Sequence, residues 1–334
     1  MIDWLRLTRA SGLFTIASNT LAAVAAAVYT KSLDPTILGR ELRDNLSTAL
    51  WVLLASCLLY MSGMLWNDVA DADRDRVLHP GRPIASGRIP LVTAWVGGLF
   101  LASGALLAAA QAGYRGLCAA GIVLTLSLLY NFCTKAVPYL GSVTMALVRG
   151  AHAIFVLLIL GTAYFDRAVL SLIDLVIPVH PSALGGTSSY PLLIASYILG
   201  LTLISELESR KGRRIELLLG GLLVAIAMIQ ALHLGLTAHW VTMLHRQRNT
   251  LWLVLALLLV IAIAAWLAWR VGRPYLEAVR SGKRRYVGRV VGAGLGGMIL
   301  FDALVATAFH PLIGLAALAL VVPGRMAARL VRMD

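Results

Sequence analysis

Apolar residues run in long uninterrupted blocks along this chain, with charge confined to the gaps between them. Blocks long enough to cross a hydrocarbon core of about 30 Å, which takes about 20 helical residues, fall near 11–30, 47–66, 91–112, 115–133, 140–163, 190–206, 215–238, 250–270 and 288–310. The pattern therefore predicts an all-α polytopic membrane protein of nine transmembrane helices, with 1–334 as one transmembrane domain.

Composition sharpens that expectation. The chain is 59% hydrophobic and 13% charged, with a mean hydropathy of +0.82, outside the range of soluble domains. A net charge of +13 would raise the question of nucleic acid in a soluble protein. Here basic loops on the cytoplasmic face, against anionic membrane lipid, account for it, and no nucleic-acid partner is implied. Lys and Arg concentrate at the N-terminus and in the loops reached after every second span, which places the N-terminus and the Asp-rich loop in the cytoplasm. Arg325, Arg329 and Arg332 disagree with that count, unless the His310-Pro311 break turns the last segment back along the interface. Cys57, Cys118 and Cys133 lie in apolar blocks without metal-site spacing.

Candidate chemistry concentrates in 67–90, between the second and third blocks. Asp68, Asp71 and Asp75 are spaced i, i+3, i+7 and fall within about 60° of one another on a helix, with Asn67 on the flank and Asp73 off the arc. Carboxylates this close repel unless a cation lies between them, and an all-oxygen set suits a hard ion, Mg²⁺ or Ca²⁺. The plainer alternative is a solvated acidic loop. A second charged stretch, 206–214, ends the sixth block four spans later, which suggests two four-helix pseudo-repeats followed by a ninth helix. Glu206 and Glu208 stand about 160° apart on a helix, so only one can face the first site. Lys135 ends the fourth block, and Arg149 lies deep in the fifth, where an arginine must face protein or an aqueous cavity. The basic lead-in Leu5-Arg6-Leu7-Thr8-Arg9 reads as an interfacial segment with snorkelling arginines. Gly288, Gly292 and Gly296 form a small-residue row expected to pack closely. Asp302 needs a polar partner that the sequence does not name.

Asn67-Asp68-x-x-Asp71-x-x-x-Asp75 followed by Arg82-Pro83-Ile84-Ala85-Ser86-Gly87 resembles the first signature of the UbiA-type intramembrane prenyltransferases. The segment Met145 to Gly150, with Ser205 and Glu208, is similar to a divergent subgroup of that family called EboC, found in bacterial metabolite gene clusters. The resemblance implies a nine-helix bundle in the bacterial inner membrane and a Mg²⁺ cofactor. It also implies an isoprenyl diphosphate substrate and a small or lipidic prenyl acceptor whose identity nothing in the sequence gives. On that basis Asp68, Asp71 and Asp75 are expected to act in catalysis as metal ligands, joined by Glu208 in place of the family's second aspartate motif. Asn67, Arg82, Tyr130, Lys135, Arg149 and Arg210 are expected to bind substrate. The Tyr130–Lys135 pair is spaced one residue wider than the family's. The alternatives are a catalytically silent lipid-binding scaffold and a prenyl-lipid transporter.

Overall fold

A computed structural model describes residues 2–31, 45–160, 189–209, 214–246 and 250–330. Among these every regular element is helical. In order they are α1 (Ile2–Leu7), a 3₁₀ turn (Ala10–Gly12), α2 (Leu13–Lys31), α3 (Leu46–Ala70), α4 (Ala72–Leu78), α5 (Leu91–Gln111) and α6 (Tyr114–Leu129). A π-helical segment (Tyr130–Thr134) then leads to α7 (Leu140–Leu160), α8 (Tyr190–Ser209), α9 (Arg214–Arg246), α10 (Thr250–Ser281), α11 (Arg284–Phe309), α12 (Pro311–Ala319) and α13 (Val321–Leu330). The connection at 161–188, and Arg210 with its neighbours 211–213, lie outside the described residues.

Among the described residues ten helical segments are long and apolar enough to cross a membrane, one more than the hydropathy pattern predicts. The first nine coincide with the expected blocks. The tenth, Pro311–Arg329, follows the His310-Pro311 break, where Pro311 begins a new helix after the extended residue His310.

Helix α2 is the centre of the bundle, packing against α3, α7, α11 and α12, with α8 bridging α7 and α11. Its alanine run Ala22, Ala23, Ala25, Ala26 and Ala27 is fully buried, because side chains this short let neighbouring backbones approach where lipid offers no hydrophobic drive for association. Outward-facing residues such as Phe100, Leu107, Ile229 and Trp252 are exposed, as a lipid-facing surface requires.

The glycine row expected to pack along α11 is displaced. A Cβ at Gly292 would meet nothing within 4 Å, whereas at Gly294 it would lie 2.3 Å from a methyl of Leu201 in α8. The closest helix packing of α11 thus runs through Gly294 and Gly297, while in the every-fourth-residue row Gly296 lies against the Arg270 side chain, Gly288 is in ordinary contact with Glu208 and Gly292 faces open space. Gly294→Leu should destabilise the protein by about 1–3 kcal/mol through overpacking and lower its melting temperature in detergent. Gly292→Leu should leave it unchanged; an equal loss would contradict this packing.

Candidate functional site

The acidic stretch is helix rather than loop. Asp68 lies in the last turn of α3, and Asp71 is the hinge residue before α4, with φ −92° and ψ 1°. The Asp71 amide still donates to the Asn67 carbonyl, and that of Asp75 to the Asp71 carbonyl. The chain therefore keeps near-helical register through the break, and Asp68 and Asp75 both point inward, at 2% and 3% exposure. Asp73 points outward and pairs with Arg76.

Three cations meet Asp68, Asp71 and Asp75. Arg82, in the turn after α4, places one nitrogen, Nη1, 2.6 Å from Asp75 Oδ2 and 4.0 Å from Asp68 Oδ1. Arg9 Nη2 approaches Asp68 Oδ1 at 3.4 Å, and Lys135 Nζ lies 2.8 Å from Asp71 Oδ1. Lys135 also donates to the carbonyl and the side-chain oxygen of Asn67, at 3.2 and 3.3 Å. The expected cluster of Asn67, Asp68, Asp71, Asp75, Arg82 and Lys135 is thus brought together.

Lys135 reaches Asp71 through the π segment. The Lys135 amide donates to the Tyr130 carbonyl, five residues back, so this turn holds one residue more than an α turn. The wider Tyr130–Lys135 spacing is absorbed here, and both side chains remain on the site's side. Asn131 Nδ2 ties the same segment to the Gly63 carbonyl of α3 at 3.0 Å.

Beneath the charged cluster an intramembrane cavity opens between α2, α3, α6 and α7. Its lining is largely apolar (Ile16, Leu59, Met64, Val123, Met145, Val148) and carries the rings of Tyr60 and Tyr130. At its deep end lie Arg149 and His152. Tyr130 links cavity to cluster, being within electrostatic reach of Asp71 and Arg9. Tyr60 donates its hydroxyl to the Arg9 carbonyl at 3.4 Å and fills the space where a Cβ on Gly12 would be, 1.8 Å from that hydroxyl. Only glycine allows this approach.

Several expected placements differ. Glu208, expected across the cavity from Asp71, lies instead near Gly288 of α11 and neither joins the aspartates nor pairs with Arg149. Glu206 is the glutamate that turns toward α7, accepting from the Tyr139 amide at 2.9 Å and from Ser142 Oγ at 2.7 Å, within electrostatic reach of Tyr130. Among the described residues no group of three or more carboxylate, histidine or cysteine side chains converges on one metal position, so Asp68, Asp71, Asp75 and Glu208 do not form a ready-made cage. Arg210 lies outside the described residues. Arg9, expected to snorkel to lipid headgroups, turns into the site from a left-handed backbone position, φ 45°, where a non-glycine residue carries strain. Asp302 finds its partners in Ser18, 2.6 Å away, and Tyr190, 3.0 Å away.

Two features bear on whether Mg²⁺ fits. The Oδ2 atom of Asp68 is buried without a hydrogen-bond partner, and Arg82 Nη1 already sits as a positive charge between Asp68 and Asp75. An all-oxygen set with an orphaned carboxylate oxygen suits a hard cation, and Mg²⁺ needs only one or two carboxylates when phosphate oxygens and water complete its shell.

The family model described as the UbiA prenyltransferase family matches residues 18–286. No curated protein matches the chain. Among solved structures, that of a study of digeranylgeranylglyceryl phosphate synthase in membranes is 15% identical, with a TM-score of 0.56 over 95% of this chain and 98% of that one. A UbiA homolog from Aeropyrum pernix K1, solved without ligand, is 19% identical, with a TM-score of 0.53 over 91% and 96% of the two chains. A UbiA homolog from Archaeoglobus fulgidus bound to GPP and Mg²⁺ is 15% identical, with a TM-score of 0.51 over 89% and 99%.

Proposed function

The chain belongs to the UbiA prenyltransferase family, and on that premise we propose that it transfers the prenyl group of an isoprenyl diphosphate to an acceptor held within the bundle. The observation that carries this reading is a charged cluster set at the mouth of an apolar cavity, with Tyr130 belonging to both. The cluster suits a diphosphate and the cavity suits its hydrocarbon chain.

In this reading Asp68 and Asp75, with Asp71 beside them, hold Mg²⁺, which when bound supplies positive charge to neutralise the departing diphosphate. Lys135, Arg82 and Arg9 would bind phosphate oxygens. Asn67 holds the Lys135 ammonium in place. The faces of Tyr60 and Tyr130 stabilise positive charge on the allylic carbons, and the apolar lining keeps water from that carbon. The acidic stretch 67–90 and the N-terminus face the cytoplasm, consistent with the distribution of basic loops.

A silent lipid-binding scaffold is the second reading. It is favoured by the engagement of Glu206 with Tyr139 and Ser142 and by the displacement of Glu208 from the site. Incubation of the purified protein with labelled geranyl, farnesyl and geranylgeranyl diphosphates and Mg²⁺ separates the two. With a membrane lipid extract present as the source of acceptor, prenyl transfer predicts release of diphosphate that chelation of Mg²⁺ stops; binding without release under those conditions identifies the scaffold.

A further inference from the structure

Two arginines remote from the aspartate cluster, Arg270 and Arg325, meet where α10, α11 and α13 come together. Arg270 lies in the span Leu251–Ser281, about 28 Å along the axis from Leu251, close to the ~30 Å thickness of a hydrocarbon core. It therefore stands where α10 leaves that core. Its guanidinium is laid over α11, where a Cβ on Gly296 would overlap Nη2. Arg325 reaches the same place from α13: its Cζ is 5.7 Å from the centre of the Trp266 ring, one turn before Arg270, and it lies within electrostatic reach of Arg270. Beside it, Gly324 packs on Phe14 of α2 and Ile299 of α11, and α13 touches the Ala10–Gly12 turn that follows Arg9. The pair thus belongs to the membrane face that carries the aspartate cluster. Arg325, which a nine-helix count puts on the opposite face, is returned to this one by the tenth segment, Pro311–Arg329.

Among the described residues no carboxylate pairs with either arginine. The ion pairs nearest to Arg270 along α10, those of Arg273 and Arg289, are made with Glu277, which is about 10 Å further along the axis than Arg270. Arg270 Nε is buried without a hydrogen-bond partner. A buried donor left so does not recover the cost of its desolvation, and a second positive charge nearby adds repulsion. An anion held between the two guanidiniums removes both costs. The surroundings select its class. Trp269, next to Arg270, is 63% exposed, as an aromatic ring at headgroup level is. Val322 and Met326 stand exposed on α13 beside Arg325, an apolar surface that suits acyl chains and offers nothing to a soluble ion.

We propose that Arg270 and Arg325 form a binding site for the phosphate of an anionic membrane phospholipid, its free oxygens accepting from both guanidiniums while its acyl chains lie along the exposed apolar side of α13. The planar fork of arginine matches phosphate oxygens, and the depth of the pair matches the headgroup layer. The site serves a structural lipid and is independent of the prenyl-transfer reading: it shares no residue with the aspartate cluster or with the cavity beneath it.

The full chain is placed in nanodiscs of phosphatidylcholine doped with dibrominated phosphatidylglycerol or with dibrominated phosphatidylcholine. Bromine quenching of Trp266 is read as the difference between each protein and its Trp266→Phe counterpart. The phosphatidylglycerol should half-quench that signal at a mole fraction at least about fivefold lower than the phosphatidylcholine, the gain usual for one basic residue at an anionic surface and so a lower bound for two. Arg325→Gln, a change to an exposed side chain, should bring the two lipids close to parity, and so should Arg270→Gln; should the latter fail to fold, Arg325→Gln decides. Arg285→Gln, at the exposed start of α11 away from the pair, should keep the preference. Equal quenching in the wild type overturns the site, as does a preference that survives Arg325→Gln. A preference that Arg285→Gln also abolishes overturns it too, since it would mark only the general field of the basic loops. Excess glycerol phosphate should leave the quenching unchanged; if it removes the preference, the pair takes a free phosphate and the lipid assignment fails.

Discussion

Asp68→Asn should weaken Mg²⁺-dependent binding of geranyl S-thiolodiphosphate by more than about 100-fold, beyond the effect usual for groups that merely support a metal ligand. Asp68 is 2% exposed, its Oδ2 has no hydrogen-bond partner, and its Oδ1 is within reach of both Arg9 and Arg82. An asparagine keeps the shape and one oxygen but supplies no charge to balance a divalent cation. Asp71→Asn should lower affinity as well, since it releases Lys135 from its 2.8 Å pair and alters the position of a phosphate-binding ammonium. Asp73→Asn is the control within the same stretch: its carboxylate is 94% exposed and pairs with Arg76, so affinity should not change. Titration of the analogue with and without Mg²⁺, with melting temperature recorded for each variant, checks the set. Equal losses for Asp68 and Asp73 would show that the acidic stretch acts only through its overall field, and the assignment of Asp68 as a metal ligand would fail.

The legible part of this site is the part held by short-range periodicity. Asp68, Asp71 and Asp75 could be placed together because one helical register governs them, and the near-continuous hydrogen bonding from Asn67 to Asp75 preserves that register across the Asp71 hinge. The helix-end position of Lys135 was legible too, but its aim was not: that depends on the π segment, which appears in the sequence only as a spacing one residue wide of the family's pattern. Arg9 was hidden because a basic residue ahead of an apolar span has an ordinary explanation at the membrane surface, and a left-handed residue followed by a 3₁₀ turn is what redirects it. Periodicity limited the second charged stretch to one inward glutamate, but which of Glu206 and Glu208 it is depends on how α8 is rotated against α7, and that rotation is a tertiary quantity. The glycines of α11 show the same limit. Gly288, Gly292 and Gly296 form the more conspicuous row, yet Leu201 fits against Gly294.

Asp302→Leu should produce the largest loss of stability, about 2–4 kcal/mol, and with it a loss of order at the deep end of the cavity. Asp302 is fully buried in α11 and accepts hydrogen bonds from Ser18 of α2 at 2.6 Å and Tyr190 of α8 at 3.0 Å. One carboxylate therefore ties three helices whose nearest residues in sequence are far apart. Leucine, of similar size, removes the charged acceptor and leaves the hydroxyls only the Thr15 carbonyl, 3.0 Å from Ser18, and the Asn19 carbonyl, 3.2 Å from Tyr190, a loss of about 1–2 kcal/mol each. Asp302→Asn should cost less, because its oxygen still accepts from one hydroxyl and the other can rotate to accept from the amide nitrogen. The consequence extends to the cavity wall, since Asn19 donates to Tyr190 and stands 2.6 Å from His152 Nδ1. Without Asp302 the Tyr190 hydroxyl can turn its hydrogen to the Asn19 carbonyl, 3.2 Å away, and the restraint on Asn19 weakens. Thermal unfolding in detergent, measured on the wild type and both variants, tests this. A leucine variant as stable as the wild type would show that this network does not hold α2, α8 and α11 together.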